Sequence, residues 1–128
     1  MPKKVLIVDD EPISLHILSE FLSDSPFDYD AFQDGRQAFT KLLSSPSDYS
    51  VVVMDRIMPY MSGMEILNRM QEDPQLKDIP VIMLTGLGEK EDIIDAVKAG
   101  VFDYLTKPIE KILLIKLIER ALKGYSGH

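Results

Sequence analysis

The sequence predicts an α/β protein in which a five-stranded parallel sheet is covered by helices on both faces. Five short segments with strand character are each followed by a segment with apolar residues at helical spacing. Three of the five strand segments (Lys4–Val8, Val51–Met54 and Val81–Leu84) are apolar nearly throughout, which is typical of interior parallel strands. A chain of 128 residues can bury one core. We therefore predict one domain over residues 1–123, followed by a flexible tail over residues 124–128.

The ends of the helices carry recognisable signals. These are Pro12 at the first helical position, the capping boxes Asp34–Gln37 and Ser62–Glu65, and Gly100 as a C-terminal stop. The last helix is predicted from Ile109 to Lys123. These signals place one helix after each strand segment.

The remaining two strands are predicted at the edges of the sheet. The second, Phe27–Phe32, carries Asp28 and Asp30, and the fifth, Val101–Leu105, carries Asp103. Charges on an edge strand also discourage pairing with another sheet. The resulting strand order, 2-1-3-4-5, is flavodoxin-like, and such sheets bind ligands beyond the carboxyl ends of the first and third strands.

Polar side chains follow four of these strands. Asp9 and Asp10 end the first strand and Asp55 ends the third, so three carboxylates are predicted to converge and to repel one another unless a cation lies among them. Oxygen ligands alone favour Mg²⁺, with Mn²⁺ as the alternative. Thr85 and Lys107 follow the fourth and fifth strands. The set predicts a phosphoryl-binding pocket built around a metal ion.

The last helix is apolar over more of its circumference than a core-facing stripe requires. Its apolar residues span roughly 200° at about 100° per residue: Leu113, Leu114, Ile115, Leu117, Ile118, Ala121 and Leu122. We predict that the surplus edge of this stripe, together with Tyr104 and the fourth helix, binds a partner or a second copy of the domain; a helix sunk deeply between its neighbours is the alternative.

Composition argues against several settings for this domain. A net charge of −7 opposes binding to nucleic acid phosphates. No apolar run approaches the ~20 residues of a membrane span. The absence of cysteine fits a reducing compartment, and we predict a cytoplasmic location.

The motifs VLIVDDEP, VVVMDRIMP, MLTG and YLTKP resemble, in this order and spacing, the receiver domain of two-component response regulators. The resemblance covers Lys4 to about Lys123. It implies that Asp55 accepts a phosphoryl group from the phosphohistidine of a sensor kinase or phosphotransfer protein. It also implies that Asp10, Asp55 and the backbone carbonyl of Ile57 hold Mg²⁺, with Asp9 acting through water.

By the same resemblance, Thr85 and Lys107 contact the phosphoryl oxygens, and the rotamer of Tyr104 follows phosphorylation. The surface of the fourth helix, fifth strand and fifth helix then changes to bind an effector, an output domain or a second copy of the chain. A cis peptide is implied before Pro108. Such a domain catalyses its own phosphorylation and dephosphorylation and is not a turnover enzyme.

Three other classes of function compete with this interpretation. A hydrolase with an aspartyl phosphate would carry a second acid two residues after the nucleophile, where this chain has Ile57. A nucleotide- or flavin-binding module would need a glycine-rich first turn, and the turn here reads DDEPIS. A receiver-like fold kept only for protein binding would not require the intact set Asp10, Asp55, Thr85 and Lys107.

Overall fold

The structure is a computed structural model that describes residues 4–86 and 90–124, without the side chains of residues 90–92. The strands are β1 (Lys4–Val8), β2 (Asp28–Phe32), β3 (Val51–Asp55), β4 (Val81–Thr85) and β5 (Asp103–Thr106). The helices are α1 (Pro12–Ser23), α2 (Gly35–Ser44), α3 (Gly63–Gln71), α4 (Lys90–Lys98) and α5 (Lys111–Leu122), and a 3₁₀ turn spans Pro46–Asp48. Of the predicted tail, only Gly124 lies within the described residues.

The five strands form one parallel sheet in the order β2-β1-β3-β4-β5, which confirms the predicted order. Every residue of β3 and β4 is buried. Side chains on one face of the sheet pack with α1 and α5, and those on the other face pack with α2, α3 and α4. Because Val8 pairs with Met54 and Thr85 pairs with Thr106, the strands end at the same edge of the sheet.

The helix ends follow the predicted signals closely. Pro12 opens α1, and the Ser62 hydroxyl accepts a hydrogen bond from the Glu65 amide at 3.2 Å. Asp34 caps α2 by accepting from the Arg36 amide at 2.7 Å. Gly100 has φ +95° and lets the amide of Val101 reach back to the Ala96 carbonyl at 3.1 Å. This bond closes α4 in a Schellman motif and turns the chain toward β5.

Two predicted boundaries are wrong by two residues. The helix α5 begins at Lys111 rather than Ile109, because Glu110 is still extended and serves as the N-cap. The strand β5 begins at Asp103 rather than Val101, since Val101 is used in closing α4. Both errors fall where hydrophobic residues continue beyond the regular element.

The acids of the edge strand β2 have different surroundings. Asp28 is exposed, whereas Asp30 accepts from the hydroxyl of Tyr49 at 2.5 Å and pairs with Lys4 at 3.0 Å. Burial raises the pKa of Asp30, but these two partners outweigh it, so that the pKa lies below its ordinary value. Burial and the neighbouring carboxylate raise the pKa of Tyr49. Asp30 therefore fastens β2 to β1 and to the segment before β3.

The wide apolar stripe of α5 is explained mainly by burial. Four of its residues are buried and two are half-buried; these are Leu114, Leu117, Ile118 and Ala121, then Ile115 and Leu122. Leu113 remains 45% exposed beside Ile112, which is 72% exposed.

Among the described residues, the structure contains no helix with the length and apolar character needed to cross a membrane.

Candidate functional site

The site lies at the carboxyl edge of the sheet, where Asp55 is the last residue of the buried strand β3. The four residues before it are fully buried, and Asp55 itself is only 8% exposed. Its neighbour Arg56 continues the sheet by donating its amide to the Leu84 carbonyl at 3.0 Å. A Cβ on Gly63 would lie 2.4 Å from the Asp55 carbonyl oxygen, so the start of α3 packs directly on this backbone.

Asp9 is a completely buried carboxylate directly after β1. One of its oxygens accepts from the amide of Glu11 at 3.0 Å. The other accepts from the hydroxyl of Ser14 at 2.5 Å and from Lys107 Nζ at 2.9 Å. These bonds satisfy a charge that burial would otherwise make costly.

The ammonium of Lys107 lies among three carboxylates. Its Nζ is 2.9 Å from Asp9, 3.0 Å from Asp55 and 3.7 Å from Glu11. The backbone fixes the start of this side chain, because the Lys107 amide donates to the Thr85 carbonyl at 2.8 Å. The peptide bond between Lys107 and Pro108 is cis, as the resemblance to receiver domains implied.

Asp9, Asp55 and Lys107 lie close enough for their charges to shift one another's pKa values. Burial raises the pKa of Asp55; the bond from Lys107 lowers that pKa, and the charge of Asp9 raises it further, with a raised value as the result. Burial lowers the pKa of Lys107, but its bonds to Asp9 and Asp55 outweigh burial and raise it. Ionisation of Asp55 is therefore less favourable in the folded protein than in the unfolded chain, and further positive charge beside it would favour the ionised form.

The predicted carboxylates do not all occupy equivalent positions. Oxygens of Asp9, Glu11 and Asp55 lie within 4.8 Å of one another. Asp10 stands outside that group, but it lines the adjoining cavity of about 340 Å³ together with Glu11, Asp55, Ile57, Gly86 and Lys107. Glu11 was not predicted as a site residue, although it directly follows the acid pair in the motif DDEP.

Thr85 and Tyr104 are held away from the cavity in this structure. Thr85 is 1% exposed, and its hydroxyl donates to the carbonyl of Leu105 at 3.4 Å. Gly86, the next residue, lines the cavity instead. Tyr104 is half-buried and packs against the core on the α2–α3–α4 side.

Known proteins share this whole domain. The sequence profile of the response regulator receiver domain matches residues 5–119. The chain is 35% identical over 125 residues to the chemotaxis protein CheY of Pseudomonas aeruginosa, covering 97% of this chain and 99% of that protein. It is 32% identical over 123 residues to the regulatory protein VanRB of Enterococcus faecalis, covering 96% of this chain but only 54% of that relative. A receiver domain protein from Clostridium thermocellum has a similar solved structure, with a TM-score of 0.89, 29% identity and 95% coverage of both chains.

The fold and the cavity define a class of protein, an α/β domain that uses the carboxyl edge of its parallel sheet as a ligand site. The chain belongs to the response regulator receiver family, whose members act in two-component systems and are phosphorylated on an aspartate. This membership confirms the resemblance seen in the four sequence motifs. Receiver domains work with histidine kinases and with output or effector domains.

Proposed function

We propose that Asp55 is the phosphoacceptor of this receiver and takes its phosphoryl group from a phosphohistidine on a kinase or phosphotransfer protein. The observation that supports this most strongly is the contact of Asp55 with Lys107 at 3.0 Å beside an open cavity. Asp9 is fully enclosed, whereas Asp55 lines the cavity. Of these two buried carboxylates, Asp55 is the one that a donor can approach.

The transfer exchanges one bond to phosphorus for another. A carboxylate oxygen of Asp55 attacks the phosphorus, the P–N bond of the donor breaks, and its electron pair returns to the imidazole ring. The Lys107 ammonium, already within 3.0 Å of the Asp55 carboxylate, offsets the negative charge brought by the phosphoryl oxygens. The buried strand β3 keeps the attacking oxygen in place.

The residues at the cavity fit a divalent cation. They offer oxygen donors without imidazole or thiolate, which suits Mg²⁺ and also Mn²⁺. Asp10, Asp55 and the Ile57 carbonyl would hold the ion, with Asp9 acting through water. When bound, such an ion neutralises charge on the phosphoryl oxygens. We expect Asp10→Asn to weaken Mg²⁺ binding and to slow phosphorylation.

The response to phosphorylation is proposed to run through Thr85 and Tyr104. The hydroxyl of Thr85 would leave the Leu105 carbonyl, to which it now donates across 3.4 Å, and bond a phosphoryl oxygen. Tyr104, half-buried on the next strand, would turn into the vacated space. Phosphorylation then shifts the population between two conformations of the α4–β5–α5 surface.

That surface carries exposed apolar side chains suited to an effector, an output domain or a second copy of the chain. Ile94 and Val97 on α4 are 52% and 42% exposed, and Leu113 on α5 is 45% exposed. Light scattering with and without beryllofluoride tests the second-copy alternative. A mass that does not change on activation would leave effector binding as the role of this surface.

A turnover phosphatase is the less favoured function. The residue two positions after Asp55 is Ile57, an apolar side chain that is 58% exposed and can neither donate nor accept the proton of an attacking water. We infer that the domain modifies itself and is not a turnover enzyme. A cytoplasmic location stays a prediction from the sequence.

Incubation with acetyl phosphate and Mg²⁺, followed by intact-mass measurement, tests the proposed function. Wild type should gain one phosphoryl group and Asp55→Asn none. Asp28→Asn is a matched control, because Asp28 is exposed and lies at the opposite edge of the sheet. Equal labelling of wild type and Asp55→Asn would refute the assignment of the acceptor.

A further inference from the structure

The segment between β3 and α3 contains a strained turn. Tyr60 has φ +69°, a backbone conformation that residues other than glycine rarely adopt. The Met61 amide donates to the Pro59 carbonyl at 2.7 Å. This bond spans two residues and defines a γ-turn with positive φ, which is a rare and strained form. A bulky aromatic residue is thus placed where glycine would be easier to accommodate.

Burial of the tyrosine ring does not explain this conformation. The residues on either side of the turn, Met58 and Met61, are 6% and 7% exposed, whereas Tyr60 is 79% exposed. The ring instead lies against a guanidinium on another element, with the Arg36 Cζ atom 4.1 Å from the ring centroid. That distance is within the range of a cation–π contact.

The arginine is itself held in place. Arg36 Nη2 donates to the Asp34 carboxylate at 3.0 Å, and the same carboxylate caps α2 through the Arg36 amide at 2.7 Å. The hydrogen bond from the Arg36 side chain is the main reason that the pKa of Asp34 lies below its ordinary value. Below these side chains the two backbones touch closely, since a Cβ on Gly35 would lie 2.6 Å from the Met61 carbonyl oxygen.

The turn leads directly to the wall of the cavity. Ile57 lies three residues before Tyr60, lines the cavity, and donates its amide to the Asp55 carboxylate at 3.3 Å. Any loosening of the turn would therefore loosen Ile57 relative to Asp55. The strain at Tyr60 is stored beside the site where the position of the backbone matters.

We propose that Asp34, Arg36 and Tyr60 form a brace that positions the Ile57 wall of the cavity and thereby raises its affinity for a divalent cation. The three are positioning residues, and none is placed at the reacting atoms. The cation-binding part rests on the proposed function. The part of the proposal that says the brace orders the turn is independent of that function.

For Arg36→Ala, a purely electrostatic effect and loss of the brace change the Mg²⁺ affinity in opposite directions. Removing the positive charge of Arg36 near an acidic cavity should strengthen binding of a cation. Loss of the brace should weaken it. Arg36→Ala therefore separates a positioning role from a charge effect by the sign of the change.

The test is calorimetric titration with Mg²⁺, together with amide hydrogen exchange over residues 57–61 in metal-free protein. Tyr60→Leu, which keeps a side chain at the positive φ but removes the ring, and Arg36→Ala should each weaken Mg²⁺ binding about two- to five-fold, the range of an exposed cation–π contact. The double variant should lose no more than either single variant. Tyr60→Phe keeps the ring and should bind Mg²⁺ as wild type does. Tyr60→Gly should bind Mg²⁺ more nearly as wild type does than Tyr60→Leu, because glycine accepts the positive φ without a brace.

Arg69→Ala is the charge-matched control, because Arg69 is exposed and pairs with Glu65 on the surface of α3. The proposal is overturned if Tyr60→Leu binds Mg²⁺ as wild type does, if Arg36→Ala binds it more tightly, or if exchange over residues 57–61 is not accelerated in these two variants. Wild type that binds no Mg²⁺ contradicts the proposed function instead. The exchange measurement still decides whether the turn is braced.

Discussion

Asp55 carries its negative charge at a cost to the folded protein. Its pKa is raised above the ordinary 3.8 by burial and by the charge of Asp9, despite the bond from Lys107. A raised pKa means that the folded state binds this proton more tightly than the unfolded chain does. The ionised Asp55 carboxylate therefore lowers the free energy of unfolding.

We predict that Asp55→Asn raises the free energy of unfolding at neutral pH in metal-free protein. In this variant the ammonium of Lys107 still has Asp9 as an ionic partner, which lies 2.9 Å away. Because wild type gains stability as the pH falls from the raised pKa of Asp55 toward 3.8, the difference between the two proteins should shrink over that range. Urea unfolding at several pH values measures both effects. A variant less stable than wild type at neutral pH would contradict the account.

Lys107 has the complementary role of neutralising buried carboxylates. Lys107→Ala should lower the free energy of unfolding by about 2 kcal/mol in metal-free protein, less than for a fully buried pair because the ammonium keeps some solvent contact. Added Mg²⁺ should restore more stability to this variant than to wild type, since the ion replaces the missing charge.

Lys111→Ala is the matched control for that variant. Lys111 pairs with Asp24 at an exposed position, where an ion pair is worth less than about 1 kcal/mol. Equal losses of stability for Lys107→Ala and Lys111→Ala would show that the site carboxylates do not depend on Lys107.

At the scale of the elements, the edge strand β2 is fastened by one polar cluster. Tyr49→Phe removes the hydroxyl that donates to Asp30 at 2.5 Å and should cost about 1.5 kcal/mol, typical of a hydrogen bond to a charged group. Tyr29→Phe, on β2 itself, is the control, because its hydroxyl bonds the Ser23 hydroxyl at an exposed position. Thermal and urea unfolding compare the two variants.

The pH dependence of the Tyr49→Phe effect has a definite sign. A lowered pKa of Asp30 contributes stability that is present above 3.8 and is lost as the pH falls through the folded-state pKa. Without the tyrosine hydroxyl this contribution is smaller. The deficit of the variant should therefore be full at neutral pH and shrink in acid, and a deficit that stays constant to acid pH would refute the link to Asp30.

At the scale of the whole molecule, the parallel register explains why the sequence predicts so much of the site. Apolar runs and acidic strands indicate the strand order, and the order brings the ends of β1, β3 and β5 to one edge. The contact of Asp55 with Lys107, 52 residues apart, follows from that register. The sequence also predicts helix ends where a single residue caps the helix, as Ser62 does for α3 and Gly100 for α4.

What the sequence does not predict depends on the direction of individual side chains. Glu11 approaches Lys107, the Thr85 hydroxyl bonds the Leu105 carbonyl, and Asp30 bonds Tyr49. The direction of each side chain depends on packing between elements that are distant in the chain, so local sequence patterns do not predict it. The strained turn at Tyr60 depends in the same way on a distant partner, because Arg36 lies on α2.

The most direct test of the central claim is the location of the phosphoryl group. After reaction of wild type with acetyl phosphate and Mg²⁺, borohydride reduction converts the acyl phosphate to a stable alcohol that peptide mass spectrometry can place. The account predicts a single modified residue, Asp55. Modification at Asp9, Asp10 or Glu11 instead, with Asp55 intact, would contradict it.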